Sequence, residues 1–121
     1  MKRNKKILLI FNSNPYDGTD VTWNGLRLAG QLLEEQAQVK IFLMNDSVDL
    51  ARASIKPPEG YFDLGEILKE LIDKGVEVGG CGSCVARCGI NKNEGYFSGV
   101  TQLKMSDLAN WTLSSDLVLN L

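Results

Sequence analysis

The sequence predicts an α/β protein: one compact domain of three layers, with a mostly parallel sheet covered by helices on both faces. Apolar runs without polar alternation, such as residues 5–11, are typical of strands buried on both faces of a parallel sheet. Segments with helical spacing alternate with these runs, which favours parallel pairing through crossover helices. The 121 residues, 44% hydrophobic and 23% charged, suit a single domain spanning positions 1–121.

The first strand–helix unit begins with the strand at residues 5–11. Residues 12–18 contain asparagine, proline and glycine and are therefore expected to form a loop. Thr19 or Asp20 provides an N-cap for a helix that ends near Glu35.

The second unit has its strand at residues 39–44, followed by a turn and a short helix over residues 45–53. Two prolines exclude residues 56–60 from a helix or a central strand, so this segment is expected to be a surface loop. A third helix is predicted over residues 63–74, because its apolar residues recur on one face, and Gly75 suits its C-terminal cap.

The last part of the chain is predicted to contain two short strands. The first, at residues 76–78, leads into a glycine- and cysteine-rich loop at residues 79–84. A polar loop at residues 91–99 precedes a short helix that ends near Trp111 and for which Ser106 or Asp107 is the expected N-cap. A closing strand covers residues 117–121. The cysteines therefore follow the carboxyl end of a strand, where ligands and chemistry collect in parallel sheets.

Charge and composition exclude several classes of function. The net charge of -2 lacks the basic excess that nucleic-acid or anionic-membrane binding requires. We find neither a membrane-spanning apolar stretch nor a signal peptide, so a cytoplasmic protein is expected. The chain has no histidine, which excludes Ser-His-Asp and Cys-His catalysis within one subunit and His-ligated zinc or haem.

The most informative feature is the cluster of all three cysteines, Cys81, Cys84 and Cys88, within eight residues. An odd, clustered number without a secretory signal argues against a structural disulfide framework and favours thiol chemistry or a metal. The sequence from 78 to 93 contains no Asp or Glu that would oppose an anionic sulfur.

A reactive thiol requires a stabilised thiolate, and the segment offers several means. Gly82 and Ser83 can begin a helical turn that places Cys84 near free backbone N–H groups, with Arg87 one turn further on. Ser83 and Arg87 are therefore the expected binding residues beside the thiols. Cys81 and Cys84 could form a disulfide and Cys88 could act as a resolving thiol, but the spacing does not determine which sulfur attacks first.

Three functions fit this cluster. The leading one is a sulfur-transfer protein, in which a thiolate at Cys84 accepts sulfane sulfur with the help of Cys81 or Cys88; this chemistry requires no cofactor. The alternative is a non-catalytic subunit whose cysteines bind zinc or an iron–sulfur centre, although three thiolates fall short of four ligands. A flavin- or nucleotide-binding redox protein is a third, on fold analogy alone.

Two polar segments are secondary candidates. Asn12, Ser13 and Asn14 offer donors for a phosphate but match no phosphate-binding motif. Asp46 and Asp49 are interpreted as a helix cap and a first-turn acid rather than as an acid–base pair.

The chain resembles the DsrE/DsrF-like family of small sulfur-relay proteins, in particular its YchN-type branch. The resemblance covers nearly the whole sequence, and its most specific part runs from residues 76–78 into Cys81-Gly82-Ser83-Cys84, followed by an arginine and Gly89-Ile90.

The resemblance implies a five-stranded, mostly parallel sheet, assembly as a homo-trimer or hexamer, and a persulfide relayed between donor and acceptor proteins. The persulfide cysteine would be Cys84, with Cys81 as a companion. Family members place the arginine directly before the glycine, whereas Cys88 lies between Arg87 and Gly89 here. Cys88 therefore has no role implied by the family.

Overall fold

The computed structural model describes residues 4–121 and contains one sheet of five strands, all parallel. Their order across the sheet is β4-β3-β2-β1-β5. The strands are β1 (Lys6–Phe11), β2 (Gln38–Leu43), β3 (Glu77–Cys81), β4 (Val100–Leu103) and β5 (Leu117–Asn120). The chain thus builds the sheet outward from β1 to β4 and then returns to the far side of β1.

Three α-helices and one 3-10 helix connect the strands. They are α1 (Val21–Glu34), the 3-10 helix (Asn45–Ala51), α2 (Leu64–Asp73) and α3 (Met105–Ser114). Asp63 caps α2, because its carboxylate accepts a hydrogen bond from the Glu66 N–H at 3.2 Å. The N-cap of α3 is Lys104 rather than the predicted Ser or Asp, and the Asp107 carboxylate accepts the Lys104 N–H at 2.9 Å.

The helices cover both faces of the sheet, as the sequence predicts. Phe11 faces Gly25 of α1, and α2 packs beside α1. Phe42 lies on the opposite face, since strand residues alternate between faces, and packs edge-on against Trp111 of α3 at 5.8 Å between ring centroids. The central strands β1 and β2 are almost entirely buried between these layers.

Two strands differ from the prediction. β3 continues through Gly79 and Gly80 to Cys81, so these glycines belong to a strand rather than to a loop. β4 was not predicted, because it has only four residues, two of them polar, and it lies exposed or half-buried at the sheet edge.

The cysteine cluster lies at the carboxyl-terminal end of the parallel strands. β3 finishes at Cys81, and the segment after β2 enters the 3-10 helix at Asn45. Asn12, directly after β1, accepts a hydrogen bond from the Asn45 side chain at 3.0 Å. The loops that follow three adjacent strands therefore meet where the cysteines are placed.

Candidate functional site

The three cysteines lie on consecutive turns at the end of β3. Cys81 is the last strand residue, and the Cys84 N–H donates to its carbonyl at 3.3 Å. The Cys88 N–H donates to the Cys84 carbonyl at 2.9 Å, so these two residues are separated by one helical turn. All three thiols are free.

The Cys81 sulfur is surrounded by hydrogen-bond donors. Its Sγ lies 3.2 Å from the Ser83 hydroxyl. Burial alone would raise the pKa of Cys81, but hydrogen bonds from the Ser83 hydroxyl, the Cys84 thiol and the backbone N–H groups of Cys84 and Ser83 outweigh it, and the pKa is lowered. Ser83 is therefore placed beside a thiol, as the sequence predicts.

Cys84 has the opposite electrostatic environment. Burial and hydrogen bonds with the thiols of Cys81 and Cys88 raise its pKa to about 12, although the Asn45 N–H acts in the other direction. In the reduced protein these interactions oppose the Cys84 thiolate that the sequence led us to expect. The convergent N–H groups that the sequence indicated are present, but they surround Cys81.

Cys84 lies between the other two cysteines along these turns. The thiols of Cys81 and Cys88 both contribute to the raised pKa of Cys84. Cys81 and Cys84 are only 5% and 8% exposed, whereas Cys88 is half-buried. Arg87, expected beside the thiols, is exposed on the same turns. The arginine that organises these turns is a different one.

Arg52, which is 2% exposed, holds the cysteine turns through their carbonyl groups. Its Nη2 donates to the carbonyls of Cys88 at 2.9 Å, Val85 at 3.2 Å and Cys84 at 3.4 Å. Its Nη1 donates to the carbonyl of Asn91. A planar, permanently charged guanidinium suits this task, because it offers five donors in a fixed arrangement.

Asp49 compensates the charge of Arg52 and also contacts the turns directly. The Asp49 carboxylate lies 3.4 Å from the Arg52 Nε, and both side chains are fully buried. It accepts hydrogen bonds from the Ile90 N–H at 2.8 Å and the Asn14 amide at 3.0 Å. Asp46 accepts the Gly89 N–H at 3.2 Å. Asp49 is therefore a buried ion-pair partner rather than a first-turn surface acid.

The sequence analysis did not single out Arg52, and it interpreted Asp49 only as an acid in the first turn of a helix. The available signal was an acid and a base three positions apart in the otherwise apolar segment Val48-Asp49-Leu50-Ala51-Arg52. The candidate phosphate donors also have structural partners: the Asn14 amide binds Asp49, and the Asn12 amide donates to the carbonyl of Leu121 at 3.0 Å.

Two glycines allow close packing around the cysteine turns. A Cβ on Gly80 would overlap the ring of Tyr96, whose hydroxyl donates to the Cys81 carbonyl at 2.7 Å. Gly89 has a φ of 85°, and a Cβ there would overlap the Asp49 carboxylate. Burial raises the pKa of Tyr96, so this residue remains a neutral donor.

An open cleft of about 560 Å³ adjoins Cys81 between the ends of β3 and β4. It is lined by Cys81, Gly82, Ser83, Gln102, Leu103, Lys104 and Met105. The volume is in the range of small-molecule sites, and Lys104 brings a positive charge to it.

Within residues 4–121, no group of three or more Cys, His, Asp or Glu side chains has the arrangement to hold a metal ion. None of the helices described combines the length and the apolar character needed to cross a membrane.

Known proteins match this chain in both sequence and fold. The DsrE/DsrF-like family model matches residues 5–121. Protein YchN of Escherichia coli K12 is 36% identical over 117 residues, covering 95% of this chain and 97% of YchN. An uncharacterized protein of Methanopyrus kandleri, MK0008, is 36% identical over 113 residues, covering 93% and 91% of the two chains.

A solved structure gives the same result. The crystal structure of the Escherichia coli ychN protein superposes with a TM-score of 0.80 at 32% identity and covers 97% of this chain and 99% of that one. The matches in sequence and in structure span almost the full length of both chains. The chain therefore belongs to the DsrE/DsrF-like family.

Proposed function

We propose that this protein is a cytoplasmic sulfur carrier with sulfurtransferase activity, which holds sulfane sulfur as a cysteine persulfide and relays it to a partner protein. The single observation that supports this most is the cluster of three free thiols on consecutive turns at the end of β3, with Cys84 between Cys81 and Cys88. Membership of a family associated with sulfur relay supports the same function.

The unequal environments of the thiols suit sulfur exchange. Cys81 favours the thiolate, which is the nucleophile in thiol–persulfide exchange, and Cys84 favours the protonated thiol. A persulfide on Cys81 can pass its outer sulfur to Cys84: a bond forms to the Cys84 sulfur, the S–S bond to Cys81 breaks, and the Cys84 proton moves to the departing Cys81 sulfur. No external oxidant or reductant is needed.

Each of the named side chains has a role in this proposal. Cys84 holds the sulfur in a buried position, and Cys81 and the half-buried Cys88 exchange sulfur with it. Ser83 stabilises the Cys81 thiolate. Arg87, exposed on the same turns, is available to contact a donor or acceptor protein.

The relay involves a sulfur donor and an acceptor protein, and donor proteins as well as small molecules can supply the sulfur. The exposed surface also favours self-association, which we propose gives a trimer or hexamer. Every residue of β5 is exposed, and α3 has no buried residue. Exposed apolar surface on an edge strand and an adjacent helix is typical of subunit interfaces.

Mass spectrometry of the intact protein tests the proposal. Anaerobic incubation with thiosulfate or glutathione persulfide should add about one sulfur atom to the reduced wild-type protein and none to the variant with all three cysteines changed to serine. Metal content is measured on the same anaerobic sample. Wild-type protein that gains no sulfur but carries about one zinc or iron–sulfur centre per chain would refute the carrier function.

A further inference from the structure

The cleft at the end of β3 is lined by only one of the three cysteines. Cys81 lines the cleft together with Ser83, Gln102 and Lys104, whereas Cys84 and Cys88 are not part of its lining. A small molecule in the cleft would therefore lie next to Cys81, which is 5% exposed, rather than next to Cys84 or Cys88.

The thiol at the cleft is also the one prepared to attack. Hydrogen bonds from Ser83 and the N–H groups at the start of the turns lower the pKa of Cys81, while burial holds Cys84 protonated. A thiolate attacks sulfane sulfur far faster than a thiol. Access and ionisation thus favour the same residue, although the family resemblance favours Cys84 as the sulfur carrier.

We propose that the cleft between β3 and β4 binds a low-molecular-weight persulfide, R–S–SH, and that Cys81 is the first acceptor of its sulfur, ahead of Cys84. This inference rests on the proposed sulfur-carrier function and adds to it the site and order of loading. Lys104 is the binding residue for the donor's leaving group.

The loading step is an exchange at sulfur. The Cys81 thiolate attacks the terminal sulfur of R–S–SH, a new S–S bond forms, and the donor's own S–S bond breaks. The electron pair leaves with the donor as R–S⁻, and the products are Cys81–S–SH and the free thiolate. The negative charge moves from Cys81 to the departing thiolate, so nothing is oxidised or reduced overall.

Lys104 can stabilise that departing charge. It precedes α3 as its N-cap and lines the cleft together with Cys81. A nearby ammonium lowers the energy of a thiolate that forms beside it, and better stabilisation of the leaving thiolate accelerates exchange. Gln102, whose amide lies 3.4 Å from the Gly82 carbonyl, lines the same wall.

Rapid quenching with glutathione persulfide tests the order. The reduced wild-type protein is mixed anaerobically with the donor, quenched in acid with an alkylating agent, and digested to locate the added sulfur. The earliest samples should carry it on Cys81, and later samples on Cys84. Sulfur that appears on Cys84 or Cys88 before Cys81 would overturn the inference, and this measurement needs no substitution.

Variants supply an independent measurement. Cys81→Ser should load at least about tenfold more slowly than wild type, because neither of the remaining thiols lines the cleft and the pKa of Cys84 is raised. Cys84→Ser should keep its first sulfur on Cys81 rather than pass it on. Equal rates in Cys81→Ser and wild type would refute the inference and leave the carrier function intact, whereas a wild-type protein that takes up no sulfur would refute both.

Substitutions that remove or keep the positive charge at position 104 test the role of Lys104. Lys104→Gln should slow loading about fivefold, Lys104→Arg should restore most of the rate, and the same change at the opposite end of the sheet, Lys5→Gln, should have no effect. Loading of Lys104→Gln at the rate of Lys5→Gln would contradict the assignment.

Discussion

Arg52 illustrates how one buried residue can organise a site that lies far away in the sequence. It is 32 residues from Cys84, yet its guanidinium donates to the carbonyls of three residues in the cysteine turns. A guanidinium in this position fixes the backbone that carries Cys84 and Cys88. Burying the charge of Arg52 costs free energy, and the ion pair with Asp49 offsets part of that cost.

Replacing Arg52 should therefore be strongly destabilising. Arg52→Met removes the donors from these carbonyls and leaves the Asp49 carboxylate buried without its partner, so we expect a loss of about 3 to 5 kcal/mol in the free energy of unfolding. Urea denaturation measures the loss. The control, Lys92→Met, removes an exposed charge from the same region and should change stability by less than about 0.5 kcal/mol. Similar losses in both variants would contradict the structural role of Arg52.

The two buried cysteines should differ in their reaction with iodoacetamide as the pH rises. Alkylation requires the thiolate, so Cys81, with its lowered pKa, should approach its maximal rate below the ordinary thiol range of about pH 8 to 9. Cys84, with a pKa of about 12, should remain slow throughout that range. Peptide mapping after timed alkylation measures both rates in one sample. Faster labelling of Cys84 than of Cys81 near pH 7 would contradict the electrostatic assignment.

At the level of single residues, the sequence was informative where chemistry is local. The cysteine spacing and the neighbouring glycines pointed to the candidate site, and Ser83 lies beside the Cys81 thiol. The difference in pKa between Cys81 and Cys84 could not be predicted, because it depends on which sulfur the N–H groups point at. The contribution of Arg52 also could not, since it depends on a contact between distant segments.

At the level of elements, β3 positions the site by extending further than its sequence predicts. Gly79 and Gly80 make this segment harder to recognise as a strand from its sequence. Glycine is nevertheless required at both positions, because side chains of neighbouring segments occupy the space that a Cβ atom would fill. The extension carries the sheet's hydrogen bonding up to Cys81, so that the first thiol belongs to a rigid strand and the other two to the turns after it.

Gly80→Ala tests this packing. The added methyl group would force the ring of Tyr96 away from β3 and disturb its hydrogen bond to the Cys81 carbonyl, so we expect a loss of about 1 to 3 kcal/mol in stability. Gly95→Ala, next to Tyr96 in sequence, is the control because nothing lies within 4 Å of its added Cβ. Thermal unfolding compares the two. If Gly80→Ala were as stable as Gly95→Ala, the close packing of the Tyr96 ring against Gly80 would not contribute to stability.

The main elements followed from periodicity because buried strands and amphipathic helices leave strong patterns. β1, β2 and α2 begin and end within about two residues of the prediction, within the usual uncertainty of element boundaries. β4 escaped notice because Val100-Thr101-Gln102-Leu103 is too short and too polar to show a period.

At the scale of the whole molecule, the burial is uneven. The β1–β3 region and the 3-10 helix form a dense core, whereas α3 and β5 leave apolar side chains in the open, including Leu113 at 84% and Leu117 at 50% exposure. A single chain leaves the edge strand β5 exposed, and another copy of the protein can pack against it. The trimer or hexamer implied by the family resemblance would provide such cover.

Size-exclusion chromatography with light scattering measures this association. The wild-type protein should run as an oligomer, and Leu113→Arg combined with Leu117→Arg should shift it toward the monomer, because two charges would have to be buried at the interface. Ser98→Arg, on an exposed loop, should leave the oligomer unchanged. A monomeric wild-type protein would contradict the expectation.

The relay itself is tested most directly by following one sulfur atom through a complete cycle. The wild-type protein is loaded anaerobically with a sulfane-sulfur donor, separated from it, and mixed with reduced glutathione, while the intact mass of the protein and the formation of glutathione persulfide are recorded. We predict that the protein gains about one sulfur and then returns it to the acceptor, with the mass falling back as the new persulfide appears. Protein that takes up no sulfur, or that keeps it in the presence of the acceptor, would contradict the carrier function.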